Sequence, residues 1–291
     1  MKVDKLEKLN YLEKMIQSYE KNHEKKYFIE QYLRGAGNEL SGKFWELRSS
    51  SRMAYDLYSW MKNSENVLDF EFEYQLPNLK SGGIGPNMDV YIETKDELIF
   101  IESKFTEKAN LHYIDNNYLK KAYYADEDYG RNNMSLVERF YGNEWAKDFS
   151  EFCNKWEDIM KANNWHNGID WFEPKQETCH LSGILLYLFK PENKAKIKNK
   201  NIKLNNIYWK MPEDIVSEME QQFCKQAQNL IDKIMTKYNP SIDFKIDAFS
   251  VQDMLADNPK LSEHIVFPEN FIDVITKRNE EILTKEKITK R

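Results

Sequence analysis

Apolar positions along the chain change their period several times, and each change predicts an element. Over residues 1–33, Leu6, Leu9, Leu12, Met15, Ile16 and Tyr19 recur at helical spacing on an otherwise charged background. Gly35, Gly37 and Gly42 break that pattern. Residues 43–61 carry a second helical pattern through Phe44, Leu47, Tyr55, Leu57, Tyr58 and Met61, with Ser49, Ser50 and Ser51 offering a helix start inside it. Over 67–76 the period falls to that of a strand, with Phe70, Phe72 and Tyr74 on one side and Glu71, Glu73 and Gln75 on the other. A Gly/Pro-rich loop over 77–87 leads into two short strands, 88–93 and 98–105, around a turn at 94–97.

Residues 111–164 read as helical and aromatic-rich, with Trp145, Phe149, Phe152, Trp156 and Ile159 as a core stripe. A short helix is expected over 173–181. The unbroken apolar run 184–189 then suits a strand buried on both faces. Residues 207–209 add a short strand, 212–237 a helix and 242–250 a late strand, and the tail after Phe271 is helical and charged. The order is helix, three strands, helix, strand. It predicts an α/β fold of the α+β kind, with a central mixed sheet, flanking helices and extra helical decorations. No repeat and no linker divides the chain, so a single domain over 1–291 is expected.

Composition narrows the class. Hydrophobic content of 41% and aromatic content of 14% suffice for a core, and 31% charged residues with few glycines favour a helix-rich protein. No apolar run is long enough for a membrane span and no signal segment opens the chain, so no membrane partner and a cytoplasmic location are expected. Cys153, Cys179 and Cys224 are too scattered for a disulfide framework or a zinc site. The net charge of −6 does not advertise nucleic-acid binding, but an active face needs only local positive charge.

The chemistry lies in the hairpin. With Lys95 and Asp96 as a two-residue loop, antiparallel register opposes Glu93 to Leu98, Tyr91 to Phe100 and Asp89 to Glu102. Asp89, Glu102 and Lys104 then share a face, and Val90, Ile92, Ile99 and Ile101 occupy the other, buried face. Directly opposed carboxylates stand roughly 5 Å apart at Cβ and repel. A hard divalent cation removes the repulsion, and Mg²⁺ takes one or two carboxylates together with waters and phosphate oxygens. Lys104 can orient a water or stabilise charge developing on a phosphate. A slip of one residue would separate the two acids.

These residues resemble the PD-(D/E)xK nuclease superfamily, of restriction-endonuclease-like fold. Glu102-Ser103-Lys104 matches the (D/E)xK half, and Pro86-Asn87-Met88-Asp89 the first half with two inserted residues. The run 101–107, containing ESKFTE, and the Ser-rich helix start at 48–58 are similar to a bacterial subgroup of restriction endonucleases. The resemblance covers about 40–190. It implies an N-terminal helical extension over 1–40, a nuclease core over 41–210 and a C-terminal elaboration over 211–291.

The function implied is a Mg²⁺-dependent DNA endonuclease, with Mn²⁺ as a substitute, of restriction or phage-defence type. Asp89 and Glu102 would bind metal and Lys104 would position the attacking water. Double-stranded DNA is the expected substrate, a homodimer the expected assembly and a cognate methyltransferase the expected companion. A catalytically silent nucleic-acid-binding module on the same fold, and a repair or RNA nuclease, stand as alternatives.

The resemblance also implies a further acid, from Glu46 or Glu73, and a helix leaning over the site. Gln176 and His180, one turn apart, would then reach water, phosphate or substrate. Lys194, Lys196, Lys198 and Lys200 lie in a basic, Asn-rich loop that could follow a phosphate backbone. Ser50 and Arg52, at a helix N-terminus, could meet phosphate as well.

Overall fold

The structure, a computed structural model, describes residues 25–35, 39–41, 44, 49–77, 85–104, 174–210 and 215–264, with a few helical positions between 148 and 162. Five strands form one mixed sheet in sequence order: β1 (Val67–Gln75), β2 (Asn87–Thr94), β3 (Glu97–Lys104), β4 (Asn201–Tyr208) and β5 (Phe244–Ser250). β2 runs antiparallel to both β1 and β3, while β4 follows β3 and β5 follows β4 in parallel. A parallel step needs a crossover. α3 (Pro174–Phe189) and the short α4 (Lys194–Ile197) lie in the first crossover and α5 (Ile215–Tyr238) in the second.

One face of the sheet is covered by α1 (Lys25–Arg34) and α2 (Ser50–Tyr58). Phe28, Tyr32 and Tyr55 pack their rings edge-on, tilted or stacked against Phe70 and Phe72 of β1. Ser49 starts α2 as the triplet predicts: its hydroxyl accepts from the Arg52 backbone N–H at 3.1 Å. The other face carries α3 and α5. Tyr187 of α3 meets Tyr74 and Phe100, and α5 packs on β5. The buried apolar side chains form one continuous core. Both faces of the hairpin are therefore covered, where the sequence had pointed to one. Among the described residues, no helix is long and apolar enough to cross a membrane.

Two glutamines act as pieces of strand, and a third holds the chain just beyond β4. Gln31 of α1 donates to the Phe70 carbonyl and accepts from the Phe72 N–H, on the outer edge of β1. Gln228 of α5 donates to Phe244 O and accepts from Ile246 N, on the outer edge of β5. Gln252, in α6 (Val251–Asp257), holds both backbone groups of Lys210. An open edge is a template for unwanted pairing, and a side-chain amide that copies a neighbouring strand closes it.

Two expectations are corrected. Residues 184–189 are not a strand but the second half of α3, and the fourth strand lies at Asn201–Tyr208. Every residue of α3 from His180 to Leu188 is buried, so no helical stripe of polar positions marks it. Gly183 is not a breaker. A Cβ there would stand 3.0 Å from both the Leu76 Cβ and the Pro86 Cγ, so the glycine lets α3 sit close on the end of β1. Secondly, Tyr74 does not share the face of Phe70 and Phe72. Glu73 has φ 50°, the strand's alternation breaks there, and Tyr74 stacks on Tyr91 at 4.2 Å between ring centres. Residues 1–24, where the sequence pattern predicts helix, together with Glu46, most of 111–164 and the tail after Phe271, lie outside the described residues.

Candidate active site

The hairpin register is the one counted from the turn. Tyr91 opposes Phe100 and Glu93 opposes Leu98. Thr94 closes the turn, its hydroxyl accepting from Glu97 N at 2.9 Å. Regular pairing runs to Val90–Ile101, and beyond it Asp89 replaces backbone with side chain: its Oδ2 accepts from Ser103 N at 2.6 Å. Continued one step, the register sets Asp89 opposite Glu102 on β3 and Glu73 on β1. Three acidic residues thus occupy neighbouring positions across the sheet.

Glu102 is 2% exposed and is held by a triangle of short bonds. Lys104 Nζ donates to Glu102 Oε1 at 2.6 Å and to Gln176 Oε1 at 2.7 Å, and Gln176 Nε2 donates to the same Glu102 oxygen at 2.9 Å. Gln176 fixes both the acid and the lysine, so α3 does lean over this end of the hairpin. His180, one turn along, is 2% exposed, with Nδ1 3.4 Å from Glu102 Oε2. That burial directs it at Glu102 rather than at a substrate. Glu102 Oε2 accepts no hydrogen bond from the described residues. The backbone of Lys104 is fixed in turn, its carbonyl accepting from Trp209 N.

Glu73 joins the group. Asn87 Nδ2 donates to its Oε2 at 3.3 Å, and the carboxylate lies so close to Gly35 that a Cβ there would stand 2.7 Å from Oε2. A glutamate in left-handed backbone is uncommon and is held only where its surroundings enforce it. Burial pushes the Glu73 carboxyl up to about 7, with Glu39 and Glu102 adding to the rise and Asn87 and Lys104 opposing it. Asp89 is also raised well above the carboxylate range. Burial is the main cause, the charges of Glu102 and Glu73 add to it, and Lys104 and the Ser103 N–H oppose it. A row of acids facing one lysine favours protons, or a cation, between them.

The other predicted positions lie elsewhere. Arg52 is interior, 1% exposed with Nε 3.8 Å from Asp56 Oδ2, and its guanidinium does not reach the surface where a phosphate would bind. Ser50 is half-buried at the start of α2. The basic loop sits at the opposite end of the hairpin. Lys196 and Lys200 reach Glu93 at 2.8 and 2.6 Å, and Lys200 also donates to Thr94 O. Lys194 and Lys198 are exposed there. Roughly 13 Å of strand separates Glu93 from Asp89.

Four residues that reasoning from the sequence missed complete this end. Asn87 supports Glu73. Asn206 of β4 neighbours Glu102 in the sheet and bonds Glu177 of α3 and Glu220 of α5. The signal for Asn206 was its phase: it follows Ile202 and Leu204 at the strand period and so lies on the covered face. Among the described residues no three His, Cys, Asp or Glu side chains come together as a metal-holding group. Asp89 and Glu102 still suit a hard cation that completes its shell with water and phosphate oxygens. Both are oxygen donors, one buried carboxylate oxygen of Glu102 accepts no hydrogen bond from the described residues, and among those residues the acids here outnumber Lys104. No protein-family model matches this chain, and comparison with curated proteins and with solved structures finds no match either.

Proposed function

We propose that the chain is a Mg²⁺-dependent nuclease that hydrolyses phosphodiester bonds in DNA, on a restriction-endonuclease-like core. The observation that carries the reading is the Glu102–Lys104–Gln176 triangle beside Asp89, at the end of a hairpin whose second strand, β3, pairs in parallel with β4. The order of the five strands, with β2 alone running against the rest, supports that core.

A divalent cation at Asp89 and Glu102, Mg²⁺ or Mn²⁺, would polarise a phosphodiester and acidify a water. The protein's own groups do the rest. Ser103 N–H and the register hold Asp89 in place. Gln176 holds the Lys104 ammonium beside Glu102, where it can orient the attacking water and meet charge developing on the phosphate. His180 backs Glu102 from within the core. Restriction or phage defence, a dimer that cuts both strands and a companion methyltransferase belong to the same proposal.

Plasmid DNA incubated with the purified chain in Mg²⁺, Mn²⁺ or EDTA tests it. Cation-dependent nicking or cutting that is lost in Lys104→Ala and in Asp89→Asn is the expected result. Cutting that survives in EDTA, or in both variants, would overturn it.

A further inference from the structure

Behind the triangle lies a second polar group that the proposed reaction does not use. Glu177 follows Gln176 on α3, Glu220 stands on α5, and Asn206 of β4 lies between them. Asn206 Nδ2 is 2.9 Å from Glu177 Oε2, 3.3 Å from Glu220 Oε2 and 3.8 Å from Cys224 Sγ. Glu177 is 1% exposed, and Glu220 and Asn206 are each 2% exposed. Two carboxyl groups from different helices thus share one neutral amide in the interior. Two ionised carboxylates in that position repel, and each has lost its water.

We infer that Glu177 and Glu220 share one proton, and that this proton fastens α3, the helix carrying Gln176 and His180, onto α5 and β4. A carboxylic acid paired with a carboxylate keeps one negative charge between two helices instead of two. The charged groups acting on the pair are Glu102 and Lys104 from β3; the pair in turn acts on Cys224 of α5, as does Asp247 of β5. Burial raises both carboxyls, Glu102 raises both further, and Lys104 with the Asn206 amide opposes the rise. The direction fixes the linkage. A carboxyl raised on folding contributes stability that is whole below its unfolded pKa of about 4.3 and is lost as pH rises through the folded value. Alkaline conditions therefore loosen α3 and, with it, the bonds Gln176 makes to Lys104 and Glu102. No cleavage enters this inference, which stands apart from the nuclease reading.

Two measurements test it on the full chain, dialysed against EDTA. Thermal unfolding is followed from pH 5 to 8.5 for the wild type, Glu177→Gln and Glu220→Gln. Each glutamine variant should gain on the wild type as pH rises, by about tenfold or more in the unfolding constant between pH 5 and 8, because a glutamine has no proton to lose. Other raised acids, Asp56, Glu73 and Asp89, are common to all three proteins and drop out of the difference. Carbon NMR of glutamate-labelled protein should show, besides Glu73, whose signal is identified by its loss in Glu73→Gln, a further glutamic acid still protonated at pH 7. Every glutamate other than Glu73 ionised at pH 7, or a gain independent of pH, overturns the inference. A wild type that Mg²⁺ stabilises above both glutamine variants would do so too, since a cation and not a proton would then hold the pair.

Discussion

The two ends of strand β2 invite comparison, because each joins acids to lysine on the same face of the sheet. At one end Glu93 meets Lys196 and Lys200, and Asp69 lies 3.9 Å from Lys196. Charges balance there. Although burial opposes it, the hydrogen bonds and charge of the two lysines bring the Glu93 carboxyl below its ordinary range. At the other end Glu73, Asp89 and Glu102 face Lys104, and both Glu73 and Asp89 are raised. The acid–lysine pairing is common to both; the balance of charge is not. A balanced group is complete in itself and clasps the loop before β4 to the hairpin. An acid surplus in the interior is incomplete without protons or a cation, and it is the surplus that marks the second end as a site.

The largest effect expected concerns cleavage. Lys104→Ala and Asp89→Asn should each lower metal-dependent cutting of plasmid DNA by about 10²-fold or more, while Glu93→Gln and Lys200→Ala leave it unchanged. Equal losses from both ends would erase the comparison.

Stability should move in opposite directions at the two ends. Asp89 is raised, so its contribution is present below the unfolded pKa and lost as pH rises. Asp89→Asn should therefore stabilise the metal-free protein at pH 8 by about 1–3 kcal/mol. Glu93 is lowered, so its contribution is present above the unfolded pKa and lost as pH falls through the folded value. Glu93→Gln should cost about 1–2 kcal/mol at pH 8 and much less near pH 3. Denaturant unfolding at the two pH values reads both signs.

A cation bound at Asp89 would compete with the proton that burial favours there. The rise in Tm given by Mg²⁺ should therefore be larger at pH 8 than at pH 6, and absent in Asp89→Asn. The smallest effect belongs to the exposed lysines of the clasp end. Lys194→Ala and Lys198→Ala should change stability by less than about 0.5 kcal/mol and leave the salt dependence of DNA binding as it was. A shallower salt slope in either variant would place this loop on the phosphate backbone.

Much of this was legible in the chain. The turn at Lys95 and Asp96 set the hairpin register, and the register alone brought Asp89, Glu102 and Lys104 to one end. Ser49 marked the start of α2, and Gln176 lay one turn from His180 on a helix that does reach Glu102. What periodicity could not show was burial without a stripe. Residues 184–189 are apolar on every side, so helix and strand write the same pattern there, and leucine content with a tolerated Gly183 was the remaining clue. Nor does spacing reveal which charges find partners. Lys196 and Lys200 read like a backbone-tracking loop until Glu93 is placed beside them, and Arg52 like a surface contact until Asp56 is. The break in alternation at Glu73, which moves Tyr74 to the other face, has no signal in an Phe-Glu-Phe-Glu-Tyr run.

The central claim is that the acid surplus at Asp89 and Glu102 takes a divalent cation. Calorimetric titration of Mn²⁺ into the wild type, Asp89→Asn and Glu93→Gln at pH 8, with and without a short DNA duplex, tests it most directly. The account predicts binding by the wild type and by Glu93→Gln, strengthened by the duplex, and its loss in Asp89→Asn. Binding that persists unchanged in Asp89→Asn, or none by the wild type even with DNA present, would contradict it.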